Sequence, residues 1–237
     1  MTRTELGDLI GEALVVLPIG AVEQHGPHLP TGTDALIIEA VAQRAADLAA
    51  TVAARTLIVA PVLTVGASDH HLSFGGTLSL STATMHAVLA DLLRSVAHAG
   101  GRRLAILNGH GGNRGPYATA AADAVTRFPL TIATADYWEL AKAPDLDPLV
   151  VPGHAGRFET TMVMALRGDL VREPPVRHAP PPLPSLPYTT VHDAQLWTRI
   201  DGFTDEPATA GHEPAEALLE AFVQGSADWL TALAKEL

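Results

Sequence analysis

Short apolar runs alternate with longer helical patterns along this chain, and that alternation limits the folds open to it. Ala13 to Ile19 (ALVVLPI), a run around Leu57 to Leu63, Leu104 to Leu107, and Leu130 to Ala135 have the length and texture of buried strands. Between them lie an alanine-rich helical stretch from Asp34 to about Ala50 and another from about Thr82 to Ala99. The second carries Leu89, Leu92, Leu93 and Val96 at helical spacing and is stopped by Gly100-Gly101. A further helix is expected from roughly Pro116 to Arg127. Strands alternating with helices predict βαβ units, so the expected class is α/β. The architecture would be a three-layer sandwich with a mostly parallel central sheet and helices on both faces.

Towards the end the texture changes. Glu173 to Pro187 (EPPVRHAPPPLPSLP) is dense in proline and reads as an extended surface strap. About fifty residues follow, ending in one helix from about Glu213 to Glu236 that is expected to dock on the same body. With 47% hydrophobic residues, the 237 residues have enough apolar material for one large core, and a single domain over 1–237 is expected. Only 17% of residues are charged, a surface that self-association would cover well, so a homo-oligomer is expected.

The formal net charge is −11 with no basic run, which argues against phosphate-backbone binding and hence a nucleic-acid partner. Nothing approaches the roughly 20 apolar residues of a membrane helix. The N-terminus lacks the basic-then-apolar pattern of a signal peptide, so a cytoplasmic protein with no membrane partner is expected. Cysteine is absent, which removes disulfides, thiolate metal sites and cysteine nucleophiles together. Any metal must be held by His, Asp and Glu, a donor set suited to zinc, manganese or iron.

In open α/β sheets, ligands gather beyond the carboxyl ends of the strands. Reactive residues fall there repeatedly. The first strand runs into Glu23-Gln24-His25-Gly26-Pro27-His28, with Asp34 opening the next helix; the strand at Leu104 runs into Asn108-Gly109-His110-Gly111-Gly112-Asn113. Beyond the following strand comes Gly153-His154-Ala155-Gly156-Arg157-Phe158-Glu159-Thr160. Glu23, His25, Asp34, His110, His154 and Glu159 are therefore candidate ligands or proton carriers on post-strand loops. Neighbouring carboxylates repel unless cations lie between them, so this richness suggests two divalent ions, which an Asp can bridge. Each residue also has an ordinary reading: Asp34 as a helix N-cap, a lone His as a hydrogen-bonded surface residue, the glycine-rich turn as a phosphate cradle. That turn lacks the Lys-Ser/Thr of a P-loop, and neither HExxH nor GxSxG occurs, which demotes nucleotide-binding, zinc-protease and serine-hydrolase readings. His86, His98, His178, His192 and His212 have no evident partner and read as incidental.

Taken together, Leu17 to Pro30 with Thr33-Asp34, Asn108 to Asn113 and Gly153 to Thr160 resemble three signatures of the creatininase family, in the family's order. Gly66 to Thr77 is similar to a further family loop, with Gly75 where a proline is usual. The resemblance implies an α/β sandwich, a dinuclear metal site and commonly a hexamer. Carried over by position, Glu23 and His110 would bind one metal and His25 the other, with Asp34 bridging. His154 would carry a proton or polarise the carbonyl at the scissile bond. Glu159 would complete the second metal's shell or act as base. The family hydrolyses amide bonds of small or cyclic compounds, and one branch trims a modified peptide in mycofactocin maturation. Two departures bear on substrate. Gly111-Gly112 stand where creatininases proper carry Tyr-Glu, that Glu being a metal ligand, and Val150 stands where they carry a tryptophan.

The expected function is thus metal-dependent hydrolysis of the C–N bond of a small-molecule or short-peptide amide, by water activated at the metal pair. The rivals are a dinuclear phosphoesterase, short of basic residues with only Arg114 and Arg157 nearby, and a non-catalytic scaffold docking partners through the proline-rich strap. Specificity is expected in the loops at Ser68 to Gly76, Trp138 to Pro152 and Pro184 to Thr204.

Overall fold

The structure is a computed structural model describing residues 1–141, 151–174, 176, 187–189, 191–193, 195–210 and 213–237. In chain order its elements are α1 (Arg3–Leu9), β1 (Leu14–Ile19), α2 (Thr33–Ala50), β2 (Leu57–Val59), α3 (Thr82–His98) and β3 (Arg103–Asn108). These are followed by α4 (Arg114–Arg127), β4 (Thr131–Asp136), α5 (Arg157–Arg167), the one-turn α6 (Leu196–Arg199) and α7 (Glu213–Glu236). Among the described residues four strands pair, all parallel, in the order β2-β1-β3-β4.

The period-two pattern of the strands builds the layers. Val15, Leu17 and Ile19 of β1, with Leu104 and Ile106 of β3, pack against Met85, Leu89 and Leu93 of α3 and Tyr117 and Ala120 of α4. Leu14 and Val16, with Ala105, face the other way onto the small residues Ala45, Ala46 and Ala49 of α2 and Leu230 of α7. The central strands are thus buried on both faces, which is why they read as continuous apolar runs. On α3 the helical spacing separates Leu89 and Leu93, both fully buried, from Leu92, which is exposed. The helix starts at Ser81, whose hydroxyl accepts from the Thr84 amide. The C-terminal helix α7 packs on α2 and α5.

The second apolar run is strand only over Leu57–Val59; Ala60 still donates to the Val16 carbonyl, and the next donor to β1 is Leu63, onto the Pro18 carbonyl. It keeps its direction and rejoins β1 at the isolated Ile19↔Leu63 bridge. Helices α1 and α5 were not anticipated from the sequence. Residues 177–186 of the proline-rich strap, together with Val150, His178 and His212, lie outside the described residues.

Strand register brings the motif-bearing loops together. Ile19 pairs with Asn108, and Asn108 with Asp136, so β1, β3 and β4 end level with one another. After β1 the chain leaves to α2 on one face; β3 is reached from α3 on the other, so the crevice between β1 and β3 is a topological switch point. Gly20 makes the turn possible: a Cβ there would lie 2.7 Å from Ala35 Cα, so only glycine lets the α2 start press against the strand end.

Candidate active site

All six residues singled out from the sequence converge at this crevice, each at most 5% exposed. Glu23 and His25 come from the loop after β1, Asp34 from the first turn of α2, His110 from the turn after β3, His154 from the loop leading into α5 and Glu159 from its first turn. Asp34 is not the N-cap: Gly32 holds that position and no side chain caps the helix. Freed from that role, the Asp34 carboxylate points between two histidines. Its Oδ1 lies 3.2 Å from His25 Nε2, and its Oδ2 lies 3.1 Å from His110 Nδ1. Glu159 Oε2 reaches His25 Nε2 at 3.5 Å, and Glu23 Oε1 reaches His110 Nδ1 at 3.3 Å.

The outer nitrogens of these rings are tied to backbone carbonyls. His25 Nδ1 lies 3.1 Å from the Glu23 carbonyl, and His110 Nε2 lies 3.1 Å from that of Ala67. Since a carbonyl can only accept, each outer nitrogen carries the proton. With a metal ion in place of the inner proton, each ring would turn a lone pair to the ion, the tautomer a metal-ligating histidine adopts. The turn around His110 is pinned in the same way: Asn108 Nδ2 donates to the His110 carbonyl and to Asp136, while its Oδ1 accepts from the His110 amide. His154 follows suit, with Nε2 at 2.9 Å from the Gln24 carbonyl and Nδ1 at 3.4 Å from Glu23 Oε1. Its backbone is held by Thr204, whose hydroxyl accepts from the His154 amide.

Electrostatics agree with a site built for cations. Both Glu23 oxygens and Asp34 Oδ2 are buried without a hydrogen-bond partner among the described residues. Burial pushes Glu23 up, yet the neighbouring His110, His154 and His25 hold it well below the usual carboxylate range. Burial pushes His25 down, but Asp34 and Glu159 outweigh it and raise it well above the ordinary imidazole value; Glu23 and Asp34 do the same for His110. His154, buried and beside His25, is instead driven well below that value. Burial also raises Glu159, whose Oε2 accepts the Ala155 amide at 2.5 Å. A carboxylate cluster that excludes water and faces imidazoles needs positive charge between its members, supplied either by protons or by metal ions. The oxygen-and-imidazole donor set fits a divalent first-row ion.

The residues enclose a cavity of about 170 Å³ whose wall also includes His70, His71, Trp138, Pro152 and Trp197. Each of the three loops expected to carry specificity contributes to that wall. His71 was not singled out from the sequence, nor were Gln24 and Trp197. His71 belongs to a 3₁₀ turn (Asp69–Phe74) and is fully buried, and Trp197 covers it with ring centroids 4.4 Å apart. The only sequence signal was their place in motif-bearing or proline-flanked loops. His28, a motif member left without a role, is buried against Thr160 Oγ1 at 3.1 Å. The remaining histidines are peripheral where described: His86 pairs with Asp123 on the surface, and His98 bonds back to the Arg94 carbonyl.

Comparison with known proteins decides the lineage. The family model described as creatinine amidohydrolase matches residues 1–230. The chain belongs to the creatininase family. Among curated relatives, the creatinine amidohydrolase of Pseudomonas putida is 31% identical, over 92% of this chain and 88% of its own length. The mycofactocin precursor peptide peptidase of Mycolicibacterium smegmatis is 34% identical, over 91% of this chain and 83% of its own. A solved structure described as a Mn creatininase superposes with a TM-score of 0.80 at 30% identity, covering 97% of this chain and 95% of that one. A mutant creatininase described as of the Zn-Zn type matches at 0.79 with the same identity and coverage. This creatininase-family member is accordingly a metal-dependent amide hydrolase, acting on carbon–nitrogen bonds, with the α/β sandwich fold.

One departure from creatininases proper has a clear structural basis. At Gly112 a Cβ would stand 2.1 Å from the Ala67 carbonyl oxygen and 2.5 Å from His110 Nε2. The position where creatininases carry a metal-binding Glu is closed to any side chain here, and Glu159 is the carboxylate that stands beside His25 instead.

Proposed function

We propose that the chain holds two divalent ions, zinc, manganese or iron, and uses them to hydrolyse the amide bond of a small or cyclic compound. Glu23 and His110 would hold one ion and His25 and Glu159 the other, with Asp34 offering one oxygen to each. The observation that carries this reading is the shared orientation of His25 and His110, each with its outer nitrogen on a backbone carbonyl and its inner nitrogen aimed at the buried Asp34 carboxylate. When bound, such a pair supplies Lewis acidity and an activated water. His154 Nδ1, bare and 3.4 Å from Glu23 Oε1, is the atom we assign to accept the water's proton and deliver it to the leaving nitrogen. Burial keeps that imidazole neutral and ready to accept. Trp138, Trp197 and Pro152 shut water away from the substrate. We read the chain as one creatininase-like domain over 1–237, and as a cytoplasmic homo-oligomer of the family's kind, the exposed Leu72 and Leu78 beside the site loop being apolar surface that assembly would cover.

A short-peptide substrate is the second reading. It is favoured by the peptidase relatives and by two broader cavities, of about 490 and 780 Å³, that share walls with the site through Trp138 and Trp197. A phosphoesterase is disfavoured, because Arg114 is already committed to Asp136 and Glu139. The test is a panel of cyclic amides, formamides, short peptides and an aryl phosphate, assayed before and after chelation and after adding back each metal. Turnover of an amide that disappears on chelation and returns with metal is expected. Amide turnover indifferent to chelation, or selective turnover of the phosphate, would overturn the reading.

A further inference from the structure

We infer that His71 is a substrate-facing hydrogen-bond donor of this site, fixed in its Nε2–H tautomer by Gln24, opposite His154, which faces the same cavity as an acceptor. The Gln24 amide is oriented by two backbone groups that leave no ambiguity. Its Oε1 accepts from the Gly26 amide at 3.0 Å, and its Nε2 donates to the Gly202 carbonyl at 2.7 Å. One amide hydrogen remains, with two imidazole nitrogens each 3.0 Å away: His71 Nδ1 and His154 Nε2. His154 Nε2 cannot take it, because it already carries the proton that it donates to the Gln24 carbonyl. The hydrogen therefore goes to His71 Nδ1, which must be bare, and the proton of the neutral ring sits on Nε2.

The nearest acceptor to that N–H is the Glu23 carboxylate, beyond hydrogen-bond distance. His71 Nε2 is buried, has no hydrogen-bond partner among the described residues, and lies 3.6 Å from Glu23 Oε1 at the cavity wall. In the metal-loaded site His25, His110 and His154 would turn lone pairs inward, so His71 is the imidazole of opposite polarity. The rings are stacked: His71 and His154 lie 4.1 Å apart and 18° from parallel, and Trp197 packs on both. Resting on the hydrolase reading, the donor's target is the amide carbonyl oxygen, where negative charge grows as water attacks. Polarising the carbonyl and carrying the proton then fall to separate histidines, and Gln24 acts as a positioning residue.

Long-range proton–nitrogen NMR of histidine-labelled protein, assigned with the His71→Leu and His154→Leu variants, reads the tautomers directly. A protonated Nε2 and bare Nδ1 at His71 is expected in the metal-loaded wild type; an Nδ1–H tautomer or an imidazolium there overturns the inference. In hydrolysis of whichever panel amide is turned over, His71→Leu should lower kcat/KM about a hundredfold at wild-type metal content, with His71→Gln recovering part. Unchanged kcat/KM in metal-loaded His71→Leu also overturns it. Absence of hydrolysis by the metal-loaded wild type would defeat the hydrolase reading instead, and the wild-type spectrum would still decide the polarity of His71.

Discussion

At the scale of single residues, the site depends on which nitrogen of each ring holds a proton. In the metal-free protein His25 and His110 are held above their ordinary value by the carboxylates they face, so near neutral pH they carry protons that an arriving ion must displace. Metal uptake at pH 7 should therefore release protons, about two per chain if both rings are charged. Calorimetry in buffers of different ionisation enthalpy measures this, and zero release would contradict the assignment. The contribution of His25 and His110 to the stability of the metal-free fold is fully present below the unfolded imidazole value and is lost as pH rises through their raised folded values. Metal affinity moves the opposite way and grows with pH over that range. Gly112 offers a complementary test. Gly112→Ala forces a Cβ against Ala67 and His110, and should cost about 1–3 kcal/mol of stability along with metal affinity. Denaturant melts with metal analysis would check it.

At the scale of elements, the fold was largely written in the periodicities, and the exceptions have causes. The runs at Leu14–Ile19 and Arg103–Asn108 were legible because burial on both faces makes a strand uniformly apolar. Helix α5 was not legible. It is short, it follows a glycine-rich turn, and its buried stripe of Phe158, Met162 and Val163 is interrupted by threonines that are themselves buried. The six acid and imidazole residues were readable because strand ends in register bring their loops together. Gln24, His71 and Trp197 were not: they meet only in three dimensions, and Gln24 matters through the orientation of one amide. Helix α3 supplies the stability test away from the site. Leu89→Ala, removing a fully buried side chain between α3 and the sheet, should cost about 2–5 kcal/mol while the folded fraction keeps its metal. An unchanged melting temperature would contradict the packing described.

For the whole molecule, the sheet supplies a rigid edge, the helices on its two faces separate at the β1–β3 crevice, and loops from distant parts of the chain close over it. Because the buried carboxylates repel one another without cations, ion binding and folding should be linked. Chelation should lower the melting temperature, and each metal that restores it should do so in proportion to its affinity. The central claim is that this arrangement holds two ions about the Asp34 carboxylate and needs them for amide hydrolysis. Metal content per chain, on protein purified without chelator and compared with His110→Ala and Asp34→Ala, tests it most directly. About two transition-metal ions in the wild type, reduced in both folded variants together with hydrolysis, is the expected result. A wild type that binds no metal even when zinc, manganese or iron is supplied, or an Asp34→Ala variant that hydrolyses amides without metal, would contradict it.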